Sequence, residues 1–416
     1  MYQTVRMFRP TQIHLVEPDL AEFGGHFYTQ DLHVVQECNS RGIPVKVYGR
    51  QGADLDLPGA EMFRTFRFGV WIEPPQIESQ AFAPFEIFLL VNRAFYLDLQ
   101  GIDTRGFTPE HLVFFPGVTH NQLDAIAEWF SALPADRRPQ LAVTLRYLNS
   151  RMHFNEVRGF TPAIEFLYRH ALSKLKERCP AVTLVCDTDT LSQEYQRMSG
   201  VPVLVLPVPQ GQPPDDSIPE TEDIGKRGLS VLYIGNLSPL RGSDYVPEIA
   251  ESALLEFPDL EFTIHVHGDP NSAYAKKVMS LPTTLSDRVR FLTGALPPVE
   301  YAQTMAAADI VLLPYVPSFY RWASSGVFAE AASGGKVLVV SAGTNMAKWA
   351  ASFDLGAVIA HEFTPAAFSE ALRQAIRNFD QLKLKAQTAK AAFTREHSAK
   401  GFVDRLLAAV PGPYSA

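Results

Sequence analysis

One stretch near the end of the chain combines small polar residues, a carboxylate and paired glycines in an order that could bind an anion and a sugar. Ser324 and Ser325 can cap a short helix, whose first free N–H groups and dipole favour a phosphate. Glu330 lies a turn further along, where its carboxylate could accept hydrogen bonds from a pair of sugar hydroxyls. Gly334 and Gly335 are expected to end the helix and turn the chain into an apolar strand. Taken alone, the pattern is more typical of a capped surface helix with a solvent-facing glutamate, and its position in the whole chain favours the binding site.

Two loops in the first half of the chain carry histidines that could act on a hydroxyl group. Gly24, Gly25 and His26 follow an apolar run, and paired glycines allow a backbone to approach a ligand closely. His26 could donate a hydrogen bond or act as a base, although a flexible surface loop explains the pattern nearly as well. His120 also follows an apolar run and is the second candidate for contacting or activating an acceptor hydroxyl. A helix-capping loop is the simpler interpretation of its surroundings.

Two further loops, in the second half, carry residues suited to a diphosphate. Gly235 follows one predicted strand and leads to Arg241, whose guanidinium could pair with phosphate oxygens. Tyr315 follows another predicted strand and leads to Arg321. The competing interpretation is that both arginines are exposed loop residues.

Other acidic and histidine pairs are interpreted as structural. The triplets 54–56 and 187–189 each contain two aspartates, which we interpret as turn and helix-cap carboxylates. His265 and His267 alternate along one predicted strand and therefore share a face, where buried histidines usually pair with backbone groups. We therefore predict no metal site.

Composition limits the class of protein. The chain has 416 residues, of which 46% are hydrophobic and 20% charged, so it can form two or three domains with substantial cores. The formal net charge of −8 argues against a nucleic-acid partner. Cys38, Cys179 and Cys186 lack the spacing of a disulfide framework or zinc site and are expected to be buried thiols. No apolar run long enough to span a membrane and no secretory leader is recognised, so a cytoplasmic protein is expected, with at most peripheral contact at the inner face of a membrane.

Short apolar runs alternate with segments of helix length throughout the chain, which indicates parallel sheets covered by helices on both faces. The predicted strands of the first half are 13–16, 45–48, 87–91, 112–115, 141–145, 183–186 and 203–208. Those of the second half are 231–234, 262–266, 289–292, 310–313, 337–340 and 357–360. The proline-rich stretch after Pro209 is interpreted as an interdomain linker, and the tail from about 381 as one or two amphipathic helices. The irregular, aromatic segment 51–84 receives no assignment. In such α/β sheets, ligands bind beyond the carboxyl ends of the strands, where the loops above lie.

The second half resembles a known family in the order of its motifs. A strand is followed by Gly-x5-Arg-Gly, then by the segments 262–268, 288–294 and 308–315, and finally by Ser-Ser-Gly-Val-Phe-Ala-Glu-Ala at 324–331. This pattern, over most of 229–380, resembles the donor domain of retaining glycosyltransferases of family 4. The resemblance implies the GT-B fold, with two doubly wound Rossmann-like α/β domains. It predicts an acceptor-side domain at 1–209, a linker at 210–228, a donor domain at 229–385 and C-terminal helices at 386–416 that pack back across the domain junction.

The resemblance also implies roles for single residues. Gly25 would face the sugar and phosphates, Arg241 would neutralise the diphosphate, and Glu330 would bind the ribose. The chain departs from the family at Trp322, which occupies the position of the Glu that contacts the donor sugar. It departs again at Asn236, where the family often has Arg. The full set of predicted donor-binding residues is Gly24, Gly25, Gly235, Asn236, Arg241, Tyr315, Arg321, Ser324, Ser325, Gly326, Val327 and Glu330, with Arg321 or Lys348 as compensating cations.

These expectations define a retaining, metal-independent glycosyltransferase with no cofactor. UDP- or GDP-sugars are the expected donors and a saccharide or lipid-linked molecule the acceptor, in the synthesis of bacterial surface polysaccharide or glycoconjugates. His26, His120, Arg241 and Glu330 are the predicted catalytic residues. A homo-oligomer is compatible with this class of protein. Two alternatives stay open, namely a nucleotide-sugar 2-epimerase of the same architecture and an inactive, transferase-like binding subunit.

Overall fold

The chain forms two compact α/β units. The computed structural model describes residues 8–21, 26–70, 83–148, 161–210 and 228–413, with His26 and Thr161 described by their backbone only. The first unit contains the residues before Glu22, Phe27–Pro209 and the chain from Ala399 onward, and the second contains Gln210–Ser398. Residues 211–227, which include most of the predicted linker, lie outside the described residues.

The first unit is built on a seven-stranded parallel sheet. Its strands follow the order β3-β2-β1-β4-β5-β6-β7, and their bounds are β1 Gln12–Val16, β2 Val45–Arg50, β3 Ala60–Phe66, β4 His111–Val118, β5 Gln140–Leu145, β6 Thr183–Cys186 and β7 Leu204–Val205. The described part of the chain before the linker contains the helices α1 His26–Ser40, α2 Ala83–Leu99, α3 His120–Ser131, α4 Thr161–Arg178 and α5 Asp189–Ser199. The central strands are buried on both faces because helices cover both, whereas the edge strand β3 is only half-buried.

The second unit is built on a six-stranded parallel sheet. Its order is β10-β9-β8-β11-β12-β13, with β8 Ser230–Tyr233, β9 Glu261–Val266, β10 Val289–Thr293, β11 Ile310–Leu313, β12 Val337–Ser341 and β13 Ala357–Ala360. Its helices are α6 Val246–Glu256, α7 Ala273–Val278, α8 Pro298–Ala307, α9 Pro317–Tyr320, α10 Gly326–Ser333, α11 Asn345–Phe353, α12 Pro365–Arg377 and α13 Phe379–Glu396. The order reverses between β8 and β11, so the loops after these two strands leave toward opposite sides of the sheet.

One predicted strand is wrong and one strand was missed. The apolar run 87–91 lies inside the helix α2. Its buried residues Phe88, Val91 and Phe95 recur at helical spacing, which a five-residue window could not distinguish from a strand. The strand β3 lies in the aromatic segment that received no assignment. The remaining predicted strands are confirmed to within a few residues, although only Leu204–Val205 is strand in the predicted 203–208.

The tail forms two helices, as predicted. The second of them, α14 Ala399–Ala409, belongs to the first unit. Phe402, Leu406 and Leu407 are buried in the same core cluster as Leu112 and Phe114 of β4. The last helix therefore completes the core of the unit in which the chain begins.

The three cysteines are all free and buried, as expected from their surroundings. Among the described residues, no helix combines the length and apolar character needed to cross a membrane.

Candidate functional site

The candidate site lies at the carboxyl edge of the second sheet, where the strand order reverses. β8 ends at Tyr233 and leads into Gly235, while the adjacent β11 ends at Leu313 and leads into Tyr315. Crevices at such reversals are the usual ligand sites of doubly wound sheets. The loops predicted from sequence to bind a diphosphate are therefore neighbours.

Gly235 allows an arginine to lie directly against the backbone. It has φ of 128°, and a Cβ at this position would overlap Nη1 of Arg241 and lie 4.0 Å from Cγ2 of Val327. Gly235, Arg241 and Val327 therefore meet at one place, although they come from different loops. Only glycine accommodates both the backbone angle and the close approach.

Arg241 is surrounded by tyrosines rather than carboxylates. It ends a short 3-10 turn, Pro239–Arg241, which Ser238 caps through the N–H of Leu240. Burial lowers the pKa of Arg241, but the hydroxyls of Tyr320, Tyr315 and Tyr233 more than offset this effect, so its pKa lies above the ordinary value. Within the described ranges, no carboxylate forms an ion pair with this guanidinium. A charged arginine without a counter-ion can accept an anionic ligand.

Tyr315 and Tyr320 form an aromatic wall beside Arg241. Their rings stack with centroids 4.3 Å apart. Tyr315 is 1% exposed, and burial raises the pKa of its hydroxyl to about 12. The hydroxyl of Ser325 lowers the pKa of Tyr315. The start of α10 therefore lies next to the loop after β11.

Ser325 caps α10, as predicted. Its side chain accepts a hydrogen bond from the N–H of Phe328 at 3.2 Å. The N–H groups of Gly326 and Val327 precede the first intrahelical hydrogen bond, and the helix dipole favours an anion at this end. Gly334 ends the helix, and Gly335 at φ of 64° turns the chain into β12.

Glu330 holds a hydrogen bond that the sequence did not predict. The hydroxyl of Tyr301, in α8, donates to Oε2 of Glu330 at 2.5 Å. Burial raises the pKa of the Glu330 carboxyl to about 7, because its effect is larger than that of the Tyr301 hydrogen bond, which lowers the pKa. Half of these carboxyl groups are therefore protonated near neutral pH. Tyr301 lies in the helix that follows β10, 29 residues from Glu330 in sequence, so no local signal pointed to this pair.

Electrostatic effects show that these groups form one cluster. Arg241 lowers the pKa of both Tyr301 and Tyr315, while Glu330 raises both. A guanidinium, a carboxyl group, two tyrosine hydroxyls and a helix N-terminus therefore lie within interaction range. This combination can bind a ligand that carries both anionic and hydroxyl groups.

The remaining predicted donor-binding residues lie at the edge of this cluster. Asn236 is exposed and pairs through its backbone with His267. The exposed guanidinium of Arg321 lies 5.0 Å from the ring centroid of Trp322. Ser324 is partly buried immediately before the helix cap, and Lys348 is exposed on α11.

The histidine pair of β9 contacts the backbone, as interpreted from sequence. Nε2 of His265 donates to the carbonyl of Gly294 at 2.7 Å, while Nδ1 accepts from the N–H of Gly235 at 3.4 Å. Nδ1 of His267 lies 3.4 Å from the same carbonyl. His265 therefore holds the Gly235 loop in place.

Of the candidates in the first half of the chain, only His120 lies fully within the described residues. Gly24, Gly25 and the side chain of His26 lie outside the described residues. His120 is 3% exposed, and its ring centroid lies 4.5 Å from that of Tyr168. Burial lowers its pKa to about 3, so the imidazole is neutral. Thr119 caps α3 with a complete capping box, so this loop is a helix-capping loop; a role in catalysis stays a prediction.

The two aspartate triplets have structural contacts. Oδ1 of Asp56 pairs with Arg64 at 3.0 Å, and Asp187 lies 3.7 Å from Arg146. Thr188 caps α5 through the N–H of Leu191. The cap of α5 is therefore the hydroxyl of Thr188 rather than an aspartate carboxylate, and Asp187 forms a buried ion pair instead.

Replacing Gly242 with Ala should destabilise the second unit. Gly242 has φ of 63°, and a Cβ would overlap the carbonyl oxygen of Pro314. We expect a loss of about 2 kcal/mol in the free energy of unfolding, measured by denaturant titration. The matched control is Gly294→Ala, where φ is 80° but a Cβ meets no atom within 4 Å. Equal losses in the two variants would contradict a steric contribution from Pro314.

Comparisons with known proteins identify the fold. No family profile and no curated protein sequence matches the chain. Among solved structures, it is similar to a sucrose-phosphate synthase from Thermosynechococcus elongatus, with a TM-score of 0.68, 14% identity and coverage of 95% of this chain and 97% of that one. It is also similar to HepE of Anabaena, solved in complex with UDP and glucose, with a TM-score of 0.60, 15% identity and coverage of 96% and 98%. A third similar structure is WaaG, a glycosyltransferase involved in lipopolysaccharide biosynthesis, with a TM-score of 0.60, 17% identity and coverage of 96% and 100%.

These likenesses extend over nearly the whole chain in both directions. Together with the two parallel sheets, they establish the GT-B fold predicted from the sequence.

Proposed function

We propose that this chain is a retaining glycosyltransferase of family 4 that transfers a sugar from a nucleotide-sugar donor without a metal ion. The observation that carries the proposal is Arg241, a guanidinium without a carboxylate partner in the described chain, at the strand-order reversal of the second sheet. It faces Gly235 and Val327, so a diphosphate can be bound by its charge and by the first N–H groups of α10.

The other groups of the cluster suit the remaining parts of a nucleotide. The carboxylate of Glu330 accepts hydrogen bonds and can bind the hydroxyl pair of a ribose, with Tyr301 fixing its orientation. We assign UDP- or GDP-sugars as donors, and the UDP complex of the similar HepE structure supports this class. No cofactor is needed in this scheme.

The chemistry follows from the charge that the reaction creates. The bond between the anomeric carbon and the diphosphate oxygen breaks, and the leaving diphosphate gains negative charge. Arg241 and the α10 N-terminus stabilise that charge, which lowers the barrier. The acceptor hydroxyl attacks from the same face, and the departing diphosphate oxygen takes its proton, so the configuration is retained.

The acceptor and cellular setting complete the proposal. We assign a saccharide or lipid-linked acceptor, bound by the first unit, and a role in bacterial surface polysaccharide or glycoconjugate synthesis. The likeness to WaaG supports this setting. The enzyme would work in the cytoplasm, with at most peripheral contact at the inner face of a membrane.

One observation favours a second candidate, a binding subunit without transferase activity. Trp322 stands where the resembling family has a donor-sugar carboxylate, and the Arg321 guanidinium lies over its ring at 5.0 Å. Such a protein would bind the nucleotide but would not transfer the sugar.

Thermal-shift binding with UDP, GDP and ADP, and then with their sugar conjugates, tests the proposal. Selective stabilisation by one nucleotide that persists in EDTA is the expected result, followed by release of that nucleotide when the matching sugar conjugate and an acceptor are supplied. Binding without turnover, across a broad acceptor panel, would favour the binding subunit. No response to any nucleotide would contradict both candidates.

Nucleoside binding should depend on pH through Glu330. Ribose hydroxyls donate to the ionised carboxylate, and burial raises its pKa to about 7. Affinity for uridine or guanosine should therefore rise about tenfold between pH 6 and pH 8 and level off above that range, because the ionised fraction rises in the same way. Calorimetric titration at several pH values measures the profile. Glu330→Gln should flatten it, and an unchanged profile in that variant would assign the dependence to another group.

A further inference from the structure

The first unit contains a cavity of about 370 Å³ that the proposed transfer reaction does not use. It lies between β1, β2, β3 and the loop that precedes β4. Its volume is within the range of roughly 300–1,000 Å³ that is usual for small-molecule sites.

The cavity lies toward the opposite edge of its sheet from a catalytic cleft. Gln12 is the first residue of β1, and Lys46 and Glu61 are the second residues of β2 and β3. All three line the cavity, so it opens near the amino ends of the strands. Substrates of doubly wound sheets bind beyond the carboxyl ends, so a ligand here would occupy a separate site.

Aromatic rings form its apolar walls. The rings of Tyr48 and Phe63 stack with centroids 5.1 Å apart, and the ammonium of Lys46 lies 5.6 Å from the Phe63 centroid. Phe107 packs against the ring of His14 at 4.5 Å. Tyr48, Phe107 and His14 are nearly fully buried, so the partly exposed Phe63 is the ring that offers an apolar surface to a ligand.

A chain of neutral polar groups runs along its inner side. The Nδ1 of His14 lies 3.1 Å from the Tyr48 hydroxyl, and its Nε2 lies 3.1 Å from Nδ1 of His111. Burial, followed by the charges of His111 and Lys46, lowers the pKa of His14 to about 3. The imidazole is therefore neutral at physiological pH, and this side of the cavity carries no charge.

The charged residues at the rim are already paired. Lys46 lies 3.4 Å from Glu61, and Asp103 lies 2.7 Å from Arg105. The cavity therefore offers no uncompensated cation to a phosphate and no uncompensated anion to an amine. A neutral ligand fits these charges best.

We propose that this cavity binds a neutral saccharide unit at a site separate from the nucleotide site. A sugar ring has one apolar face of C–H groups, which can lie on Phe63. Its hydroxyls can pair with Gln12, Thr65 and the rim carboxylates. The inference does not depend on transferase activity, because it concerns a different edge of a different unit.

Calorimetric titration and saturation-transfer NMR on the full chain test it. The probes are methyl glucosides, methyl galactosides, methyl mannosides, N-acetylglucosamine and maltose, each with and without saturating UDP or GDP. The blocking variant is Gly106→Leu, because Gly106 lines the cavity and a Cβ there meets no atom within 4 Å. The matched control is Gly412→Leu, where the space is equally open. Phe63→Ala is a second variant that removes an aromatic wall without filling the cavity.

We expect at least one probe to bind in the millimolar range, with or without nucleotide. Gly106→Leu and Phe63→Ala should each weaken this binding about tenfold or more, while Gly412→Leu should leave it unchanged. Nucleotide thermal shifts should be equal in all four proteins, so a failure of the nucleotide site is seen separately. The proposal is overturned if no probe binds, if nucleotide abolishes the binding, if inorganic phosphate competes for the site, or if Gly106→Leu binds as the wild type does.

Discussion

Replacing Arg241 with Ala should weaken UDP or GDP binding about 100-fold, while uridine or guanosine binding should change less than about twofold. The guanidinium lies against Gly235, among tyrosine hydroxyls and without a carboxylate partner in the described chain. A charge-assisted hydrogen bond to a phosphate in such surroundings contributes about 1.5–3 kcal/mol, and a bidentate pair more. Sugar transfer should fall by more than binding, because the leaving diphosphate gains charge in the transition state.

Two further variants test whether the loss of affinity is specific to the Arg241 guanidinium. Arg241→Lys keeps the charge but loses the planar fork, so it should recover part of the diphosphate affinity. Arg395→Ala removes an exposed arginine of α13 and should behave as the wild type. Equal losses for nucleoside and nucleoside diphosphate in Arg241→Ala would count against a phosphate role.

Replacing Glu330 with Ala should remove most of the affinity for the nucleoside itself. In the proposed site, the variant loses two charge-assisted hydrogen bonds to the ribose, and the Tyr301 hydroxyl loses its acceptor. We expect a loss of about 10- to 100-fold for uridine or guanosine, measured by calorimetry at pH 8, where the wild-type carboxyl is ionised. The loss should be similar for the diphosphate, in contrast to that of Arg241→Ala.

Tyr301→Phe tests how much the hydrogen bond from Tyr301, which orients the Glu330 carboxylate, contributes to nucleoside binding. It keeps the Glu330 carboxylate but removes the donor at 2.5 Å, so it should weaken nucleoside binding less than Glu330→Ala does. Glu362→Ala removes an exposed carboxylate in the same unit and serves as the control. Unchanged nucleotide affinity in Glu330→Ala would contradict the assignment of the site.

Much of the fold was predictable because buried parallel strands are short, apolar and regularly spaced. Val337–Ser341 and Ile310–Leu313 lie within a residue of their predicted bounds. The run 87–91 failed because α2 is apolar over more than one face. β3 was missed because its half-buried residues do not form a continuous apolar run.

The candidate site was predictable only in part, since its contacts join residues far apart in sequence. Ser325 and Arg241 were found because capping residues and loop arginines have local signals. The hydrogen bond from Tyr301 to Glu330 joins positions 29 residues apart, and no local pattern indicates it. The same holds for the tyrosines around Arg241. Tyr233 ends β8, whereas Tyr315 and Tyr320 come from the segment after β11, more than 70 residues away from Arg241 in sequence.

The path of the chain has a consequence for its biosynthesis. Phe402 of α14 packs against Phe114 with ring centroids 6.0 Å apart, and Leu406 and Leu407 fill the same core. A ribosome releases these residues only after the whole second unit has been made. The first sheet must therefore wait, with part of its apolar face uncovered, while Gln210–Ser398 emerges and folds. Nascent domains normally fold in order from the N-terminus. Here the first unit is synthesised first, but it gains its last helix only after the second unit has been synthesised.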